Sequence, residues 1–171
     1  KKNQIEIEKK ALKFADFEKY AETILNYFIP ELSFEIRAND NYIGLIGQSF
    51  VLPRFYSVVD DEIVNSQCLK FLVIYQAMLI KYQLVSLSPT LSLQLKAVES
   101  ACFRPFILRE MKLSFANYFT DVMTLEKNLA MQTNLTGKEK QVFTELINLP
   151  IHSMDLSPSE SIQQCRELFN D

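Results

Sequence analysis

Apolar residues recur every three or four positions along most of the chain, which is the period of a helix with one buried side. In residues 4–28 this repeat runs from Phe14 to Phe28. Pro30 follows, and a proline disfavours helical geometry at the residue before it. The pattern therefore predicts a first helix that ends just before Pro30.

A second predicted helix, at about 61–84, begins where Asp60 or Asp61 can cap its first amide groups. Nearly every residue from Cys68 to Tyr82 is apolar, so the helix has almost no polar side. Its two lysines, Lys70 and Lys81, are eleven residues apart and fall on nearly the same side. Because a helix that is apolar all round is surrounded by protein, we expect this helix either at the centre of the fold or in a position that another chain also covers.

Further helices are predicted in the second half of the chain. Ser88-Pro89 opens a helix that runs to about 103, and Pro105 opens another over 105–131. Capping boxes at Thr136–Glu139 and Ser157–Glu160 mark two more helix starts. The 105–131 helix carries a heptad-like apolar seam, made of Leu108, Met111, Phe115, Tyr118, Val122, Leu125 and Leu129.

Residues 32–59 have a different pattern. Leu32, Phe34 and Ile36 alternate with polar residues, and turn-forming residues 39–41 precede a stretch rich in β-branched and aromatic side chains. Together these patterns predict a mainly α fold, a multi-helix bundle around the central helix at about 61–84. Residues 32–59 form either a short β-hairpin or an irregular segment within it.

The length of 171 residues fits a single helical domain spanning 1–171. The chain starts Lys1-Lys2 without a methionine, so we expect either an N-terminally trimmed chain or a piece of a longer protein. The net charge of −3 lacks the positive field that non-specific nucleic-acid binding needs. The most apolar stretch, Phe71–Ile80, is shorter than the roughly 20 residues of a membrane span, so none is expected.

The three cysteines, Cys68, Cys102 and Cys165, are widely separated and lack the spacing of a zinc site. We interpret them as buried thiols of a reducing compartment rather than a disulfide framework, which predicts a cytoplasmic location. The only histidine, His152, lies in a predicted loop, and no catalytic motif surrounds it. The sequence therefore predicts a protein that is not an enzyme, with no cofactor and no metal.

Surplus apolar stripes without a catalytic set favour a non-enzymatic helical domain for protein–protein interaction or oligomerisation, such as an adaptor or regulatory subunit. Its partner would be another protein or a second copy in a homodimer. The candidate interface residues are the aromatic and aliphatic positions on the 105–131 helix and at the C-terminus, namely Phe115, Tyr118, Phe119, Val122, Ile162, Leu168 and Phe169.

The alternative function is a small-molecule-sensing effector domain of a transcriptional regulator. Helical folds often keep an apolar pocket beside a central helix. The residues that would line such a pocket are Tyr75, Met78, Tyr82 and Cys102.

Overall fold

The computed structural model describes most of the first half of the chain and three stretches of the second. The described residues are 11–40, 42–85, 93–116, 136–147, 157 and 159–160. The chain divides into two compact units, with the boundary between Lys81 and Tyr82. The prediction of a single domain stays a prediction.

The first unit combines two helices with five short strands in its described part. Helix α1 spans Phe14–Phe28 and helix α2 spans Glu62–Lys81. The strands are β1 Leu12–Lys13, β2 Glu35–Asn39, β3 Gly44–Ile46, β4 Ser49–Pro53 and β5 Phe55–Tyr56. The predicted end of the first helix before Pro30 is confirmed, and so is the existence of the second helix.

Helices α1 and α2 pack against each other and run in the same direction. The Lys70 ammonium lies 5.7 Å from the centre of the Tyr20 ring, and the Lys81 ammonium lies 5.5 Å from the centre of the Phe28 ring. Both lysines of α2 thus reach aromatic residues of α1, which confirms that they share one side. Because the contacts advance along both helices together, the helices are parallel, and the intervening chain has to return along their length.

Helix α2 is the most deeply buried helix of the first unit. Its buried residues include Phe71, Val73, Ala77 and Leu79, which face different directions around the axis. Helix α1 contacts one part of its surface and strands β1 and β3 contact others. Helix α2 is therefore central to the first unit, whereas the predicted bundle of helices around it does not form in the described part of that unit.

Helix α2 is also the one described helix whose length and composition would suit a membrane span. The core helix of a water-soluble protein passes the same test. In this structure 67% of the most apolar part of α2 is buried inside the protein. The composition of α2 is therefore weak evidence for a membrane.

Strands β2, β4 and β3 form a sheet in that order, with β4 in the middle. Strand β2 runs parallel to β4 in a register that pairs Arg37 with Val51, and β3 runs antiparallel to β4 and pairs Gly44 with Val51. All five residues of β4 are buried. Strands β1 and β5 form a separate antiparallel pair that brings Leu12 opposite Tyr56. The backbone of Arg54 links β2 to the start of α1, since its N–H donates to Asn39 O and its carbonyl accepts from Phe14 N.

The prediction of a mainly α bundle is wrong, because two small sheets share the first unit with the helices. Within 32–59 the first strand begins at Glu35, so the alternation from Leu32 starts before the strand. The hairpin that forms joins β3 to β4 around Gly47, whereas β2 pairs in parallel with β4. The physical reason is the parallel packing of α1 and α2, which makes the long connection between them return along their length. Its strands pair with one another there and so satisfy their backbone hydrogen-bonding groups.

The second unit contains helices α3 Leu93–Cys102, α4 Arg104–Ser114 and α5 Gly137–Ile147. Helix α3 contacts both α4 and α5. Pro105 lies in the first turn of α4, as predicted. In the second predicted capping box, Ser157 N donates to the Glu160 carboxylate at 2.6 Å and Glu160 N donates to Ser157 Oγ at 3.3 Å. That capping box is confirmed.

The predicted uninterrupted helix over 105–131 is wrong, because α4 ends at Ser114. Leu108 and Met111 are fully buried, as the seam predicted. Phe115 then leaves helical geometry (φ −142°, ψ 49°), and its N–H donates to Met111 O at 2.8 Å. The sequence around it contains neither proline nor glycine, so no local signal explains the break.

The cysteines differ from one another in state. Cys68 is a free, buried thiol, whereas Cys102 is disulfide-bonded. The expectation of thiols throughout is thus wrong for Cys102, and spacing along the chain gave no sign of its bond. Disulfides are rare in reducing compartments. The cytoplasmic location stays a prediction.

We expect Gly44→Ala to destabilise the first unit by about 3 kcal/mol, since a backbone conformation unsuited to alanine and a steric clash add together. Gly44 has φ +135°, and a Cβ there would lie 2.7 Å from Gln76 Oε1. The control Gly47→Ala has φ +61° with no atom within 4 Å of its Cβ, and should cost about 1 kcal/mol. Urea unfolding gives both values, and equal costs would contradict this packing.

Between pH 10 and pH 12 we expect the free energy of unfolding to fall, because Tyr20 ionises in the unfolded chain before it ionises in the folded protein. Burial raises the pKa of Tyr20 from 10.0 to about 12. Since the folded state favours the neutral phenol, its contribution is complete below pH 10 and is lost as the pH rises through 12. Urea unfolding across this range should show a smaller loss in Tyr20→Phe. Tyr27→Phe on the same helix is the matched loss of a hydroxyl, and equal pH dependence in the two variants would contradict the assignment.

Candidate functional site

The chain between β5 and α2 is held in place by one buried side chain. Asn65 is fully buried in the first turns of α2. Its Oδ1 accepts hydrogen bonds from Val58 N at 2.9 Å and from Val59 N at 3.1 Å, and its Nδ2 donates to Val59 O at 2.8 Å. These bonds satisfy backbone groups as a strand partner would, so the connection is ordered without regular secondary structure.

The start of α2 is fixed by Asp61. Asp61 Oδ1 accepts from Ile63 N at 2.9 Å and from Val64 N at 3.1 Å. These two amides belong to the first turn, where no carbonyl of the helix itself can reach them. Of the two predicted capping residues, Asp60 and Asp61, it is therefore Asp61 that caps α2. Its carboxylate also lies at the positive end of the helix dipole, which favours a negative charge.

Three large apolar side chains are exposed on this ordered stretch. Phe55, Val59 and Ile63 expose 53%, 38% and 72% of their surface. We call these three residues the connector surface. Single exposed apolar residues are ordinary, but three within nine residues on hydrogen-bonded backbone form a candidate contact site. Tyr27 and Leu32 are further exposed apolar residues of the first unit, and Leu113 is one of the second.

The predicted interface residues fall mostly outside the described part of the chain. Phe115 is half-buried at the C-terminal end of α4, where its N–H caps the helix. The other predicted interface residues lie outside the described residues, namely Tyr118, Phe119, Val122, Ile162, Leu168 and Phe169. That interface stays a prediction.

The predicted pocket residues are divided between the two units. Tyr75 and Met78 are buried in α2 of the first unit. Cys102 is buried in the second unit, and Tyr82 is half-buried there, with its ring edge-on to Phe106 at 5.0 Å between centres. Tyr75, Met78 and Cys102 thus belong to the core of their own unit, and Tyr82 lies at the edge of the second. The ligand pocket stays a prediction.

A polar cluster surrounds Glu110 on α4. The Tyr82 hydroxyl donates to Glu110 Oε2 at 3.0 Å, and Arg109 Nη2 lies 3.3 Å from Glu110 Oε1. The Arg109 guanidinium also lies 5.1 Å from the centre of the Phe106 ring. Burial raises the pKa of Tyr82, and the hydrogen bond and negative charge of Glu110 raise it further. With each group already paired to a neighbour, the cluster is arranged to join Tyr82 to α4.

A second pair of titratable groups lies in the core of the first unit. The Tyr56 hydroxyl is buried with no hydrogen-bond partner in the described part of the chain. Burial raises its pKa strongly, and the neighbouring Cys68 thiol raises it further. Burial also raises the pKa of Cys68. Since the thiolate is the reactive form, this environment disfavours nucleophilic chemistry at Cys68.

The described residues contain no group of three His, Cys, Asp or Glu side chains placed to hold a metal ion. His152 lies outside the described residues. Of the acidic cluster 60–62, Asp61 is occupied in capping α2. The connector surface is therefore the candidate that the described residues support best. Sequence reasoning missed it, because Asn65 lies among the polar residues Ser66 and Gln67 and nothing in the sequence distinguishes it as the buried one.

We expect Asn65→Ala to cost about 3 kcal/mol of the free energy of unfolding, because it removes three hydrogen bonds to Val58 and Val59 and a fully buried side chain. The control Asn26→Ala changes the same residue type at an exposed position of α1 and should cost under about 0.5 kcal/mol. Urea unfolding compares the two variants. Hydrogen exchange at residues 58–59 should rise in Asn65→Ala, and unchanged exchange there would show that Asn65 does not hold the connection.

The chain was compared with protein-family models, with curated proteins and with solved structures, and no match was found in any of the three. The function of this protein therefore has to be inferred from its own residues and their arrangement.

Proposed function

We propose that this protein is a non-enzymatic protein–protein interaction domain, an adaptor or regulatory subunit, that contacts its partner through the connector surface. The observation that carries the proposal is the exposure of Val59 and Ile63 on backbone that Asn65 and Asp61 hold by five hydrogen bonds. Apolar side chains held in this way lose little conformational entropy when a partner covers them.

The size of the exposed side chains also supports a contact role. A few apolar or aromatic anchors supply most of the binding energy in protein interfaces, at roughly 2 kcal/mol or more each. Ile63 and Phe55 are large enough to act as such anchors. Neither side chain belongs to the hydrophobic core, since each has more than half of its surface exposed.

Ile63→Ser is expected to weaken partner binding, because it removes the most exposed apolar side chain of the connector surface and leaves the core unchanged. The control is Leu113→Ser, which changes an equally exposed apolar residue of the second unit (75% against 72%). The measurement is quantitative affinity capture from cells of the native host with wild type and both variants. A specific partner is enriched by wild type and by Leu113→Ser and falls about tenfold with Ile63→Ser.

Two outcomes would overturn the proposal. The first is that no protein is enriched by wild type over an unrelated bait. The second is that Ile63→Ser and Phe55→Ser, confirmed as folded by circular dichroism, capture the same proteins in the same amounts as wild type. An interaction domain would then have to use another surface, and the connector surface would be ordinary exposed apolar residues.

A further inference from the structure

Strand β2 has one edge that no described strand covers. It is the outer strand of the β2-β4-β3 sheet and pairs only with β4 in the described part of the chain. Glu35, Arg37 and Ala38 of this strand are exposed. An open edge presents unpaired backbone donors and acceptors, which makes it a template for a further strand.

The charges on β2 are arranged to match a second copy of the same strand. Glu35 and Arg37 are two residues apart and so lie on the same face of the sheet. Arg37 Nε lies 3.8 Å from Glu35 Oε2, with 53% and 70% of the two side chains exposed. An edge with charges of one sign would repel another copy of itself, whereas this edge carries both signs in one row.

The register of such a pair follows from symmetry. A twofold axis perpendicular to the sheet makes the strands antiparallel and keeps each side chain on its own face. With Ile36 on the axis, Glu35 of each copy lies opposite Arg37 of the other, giving two cross-strand pairs of opposite charge. With Arg37 on the axis, like charges would meet. With Ala38 on the axis, Arg37 would lie opposite Asn39.

The same register also matches side-chain size on the other face. It places half-buried Phe34, the residue just before β2, opposite exposed Ala38 of the second copy. An aromatic ring next to a small side chain leaves room for the ring to cover both strands. Ile36 of the two copies, itself half-buried, lies between these two contacts.

We propose that β2 pairs antiparallel with β2 of a second copy, with Ile36 on the twofold axis, so that two three-stranded sheets join into one of six strands. This inference deepens the proposed interaction function by naming one partner, a second copy of the chain. It uses the β2 edge and leaves the connector surface open to another protein.

The test is a set of charge variants measured by sedimentation equilibrium over a range of concentrations. Arg37→Glu places glutamates opposite Glu35 and should raise the dimer dissociation constant about tenfold or more. The double variant Glu35→Arg/Arg37→Glu exchanges the two charges, so it should return the constant to within about threefold of wild type. Lys19→Glu on exposed α1 makes the same change in net charge as Arg37→Glu and should leave the constant unchanged.

Three results would overturn the proposal. These are a monomeric wild type at every concentration, an equal effect of Arg37→Glu and Lys19→Glu, and failure of the folded double variant to restore the dimer. Hydrogen exchange of the wild type gives a second measurement that needs no variant. The backbone groups of Ile36 and Ala38 point away from β4, because direction alternates along a strand and Asn39 O accepts from Arg54 N on the β4 side. The amides of Ile36 and Ala38 should exchange more slowly at high than at low protein concentration, and equal rates would reject β2 as the interface.

Failure of this proposal and failure of the proposed function are distinguishable. A monomeric protein that still loses its partner in Ile63→Ser keeps the interaction function and loses only the β2 dimer. A dimer that follows the charge variants but captures no protein through the connector surface supports β2 pairing alone. The two experiments change different surfaces, so each result is assigned to one proposal.

Discussion

The first unit depends on one constraint, which is that helix α2 has to be covered from several sides. Its apolar residues face in nearly every direction, and leaving them in water would cost about 25 cal/mol for each Å² of apolar surface. Helix α1 covers one side, with Lys70 and Lys81 reaching its aromatic rings. Because α1 and α2 are parallel, the chain between them has to return along their length. That return provides strand β3, which contacts α2, and the fully buried β4, which pairs with β3 and contacts α1.

The same constraint explains how apolar residues are held at the surface. Where the chain leads into α2, Asn65 and Asp61 accept hydrogen bonds from backbone amides that no strand or helix carbonyl satisfies. The backbone that carries Val59 and Ile63 is thus held in place even though both side chains face solvent. The connector surface is therefore a by-product of how α2 is begun and buried, and a rigid apolar surface of this kind suits binding better than a mobile loop does.

The local signals in the sequence predicted most helix ends correctly. Pro30 ends α1, Pro105 opens α4, and Ser157 with Glu160 forms the capping box that its spacing indicated. Each of these depends on groups within about four residues of one another, so one sequence contains the whole interaction. The candidate site was harder to predict, because Val59 and Ile63 have the composition of core residues. Only the packing of the unit shows that they are exposed.

By itself, the sequence determined the helices of the first unit and their burial, since helical hydrogen bonds are local and the period of apolar residues reveals the buried side. The tertiary structure decided which strands pair. The parallel match of β2 with β4 joins residues fourteen positions apart in a register set by the shared core, and alternation in the sequence cannot specify a partner. It also decided the end of α4 at Ser114, where the apolar repeat continues but the backbone leaves the helix. A pattern along the chain records which side of an element is apolar, and only the folded chain fixes what covers it.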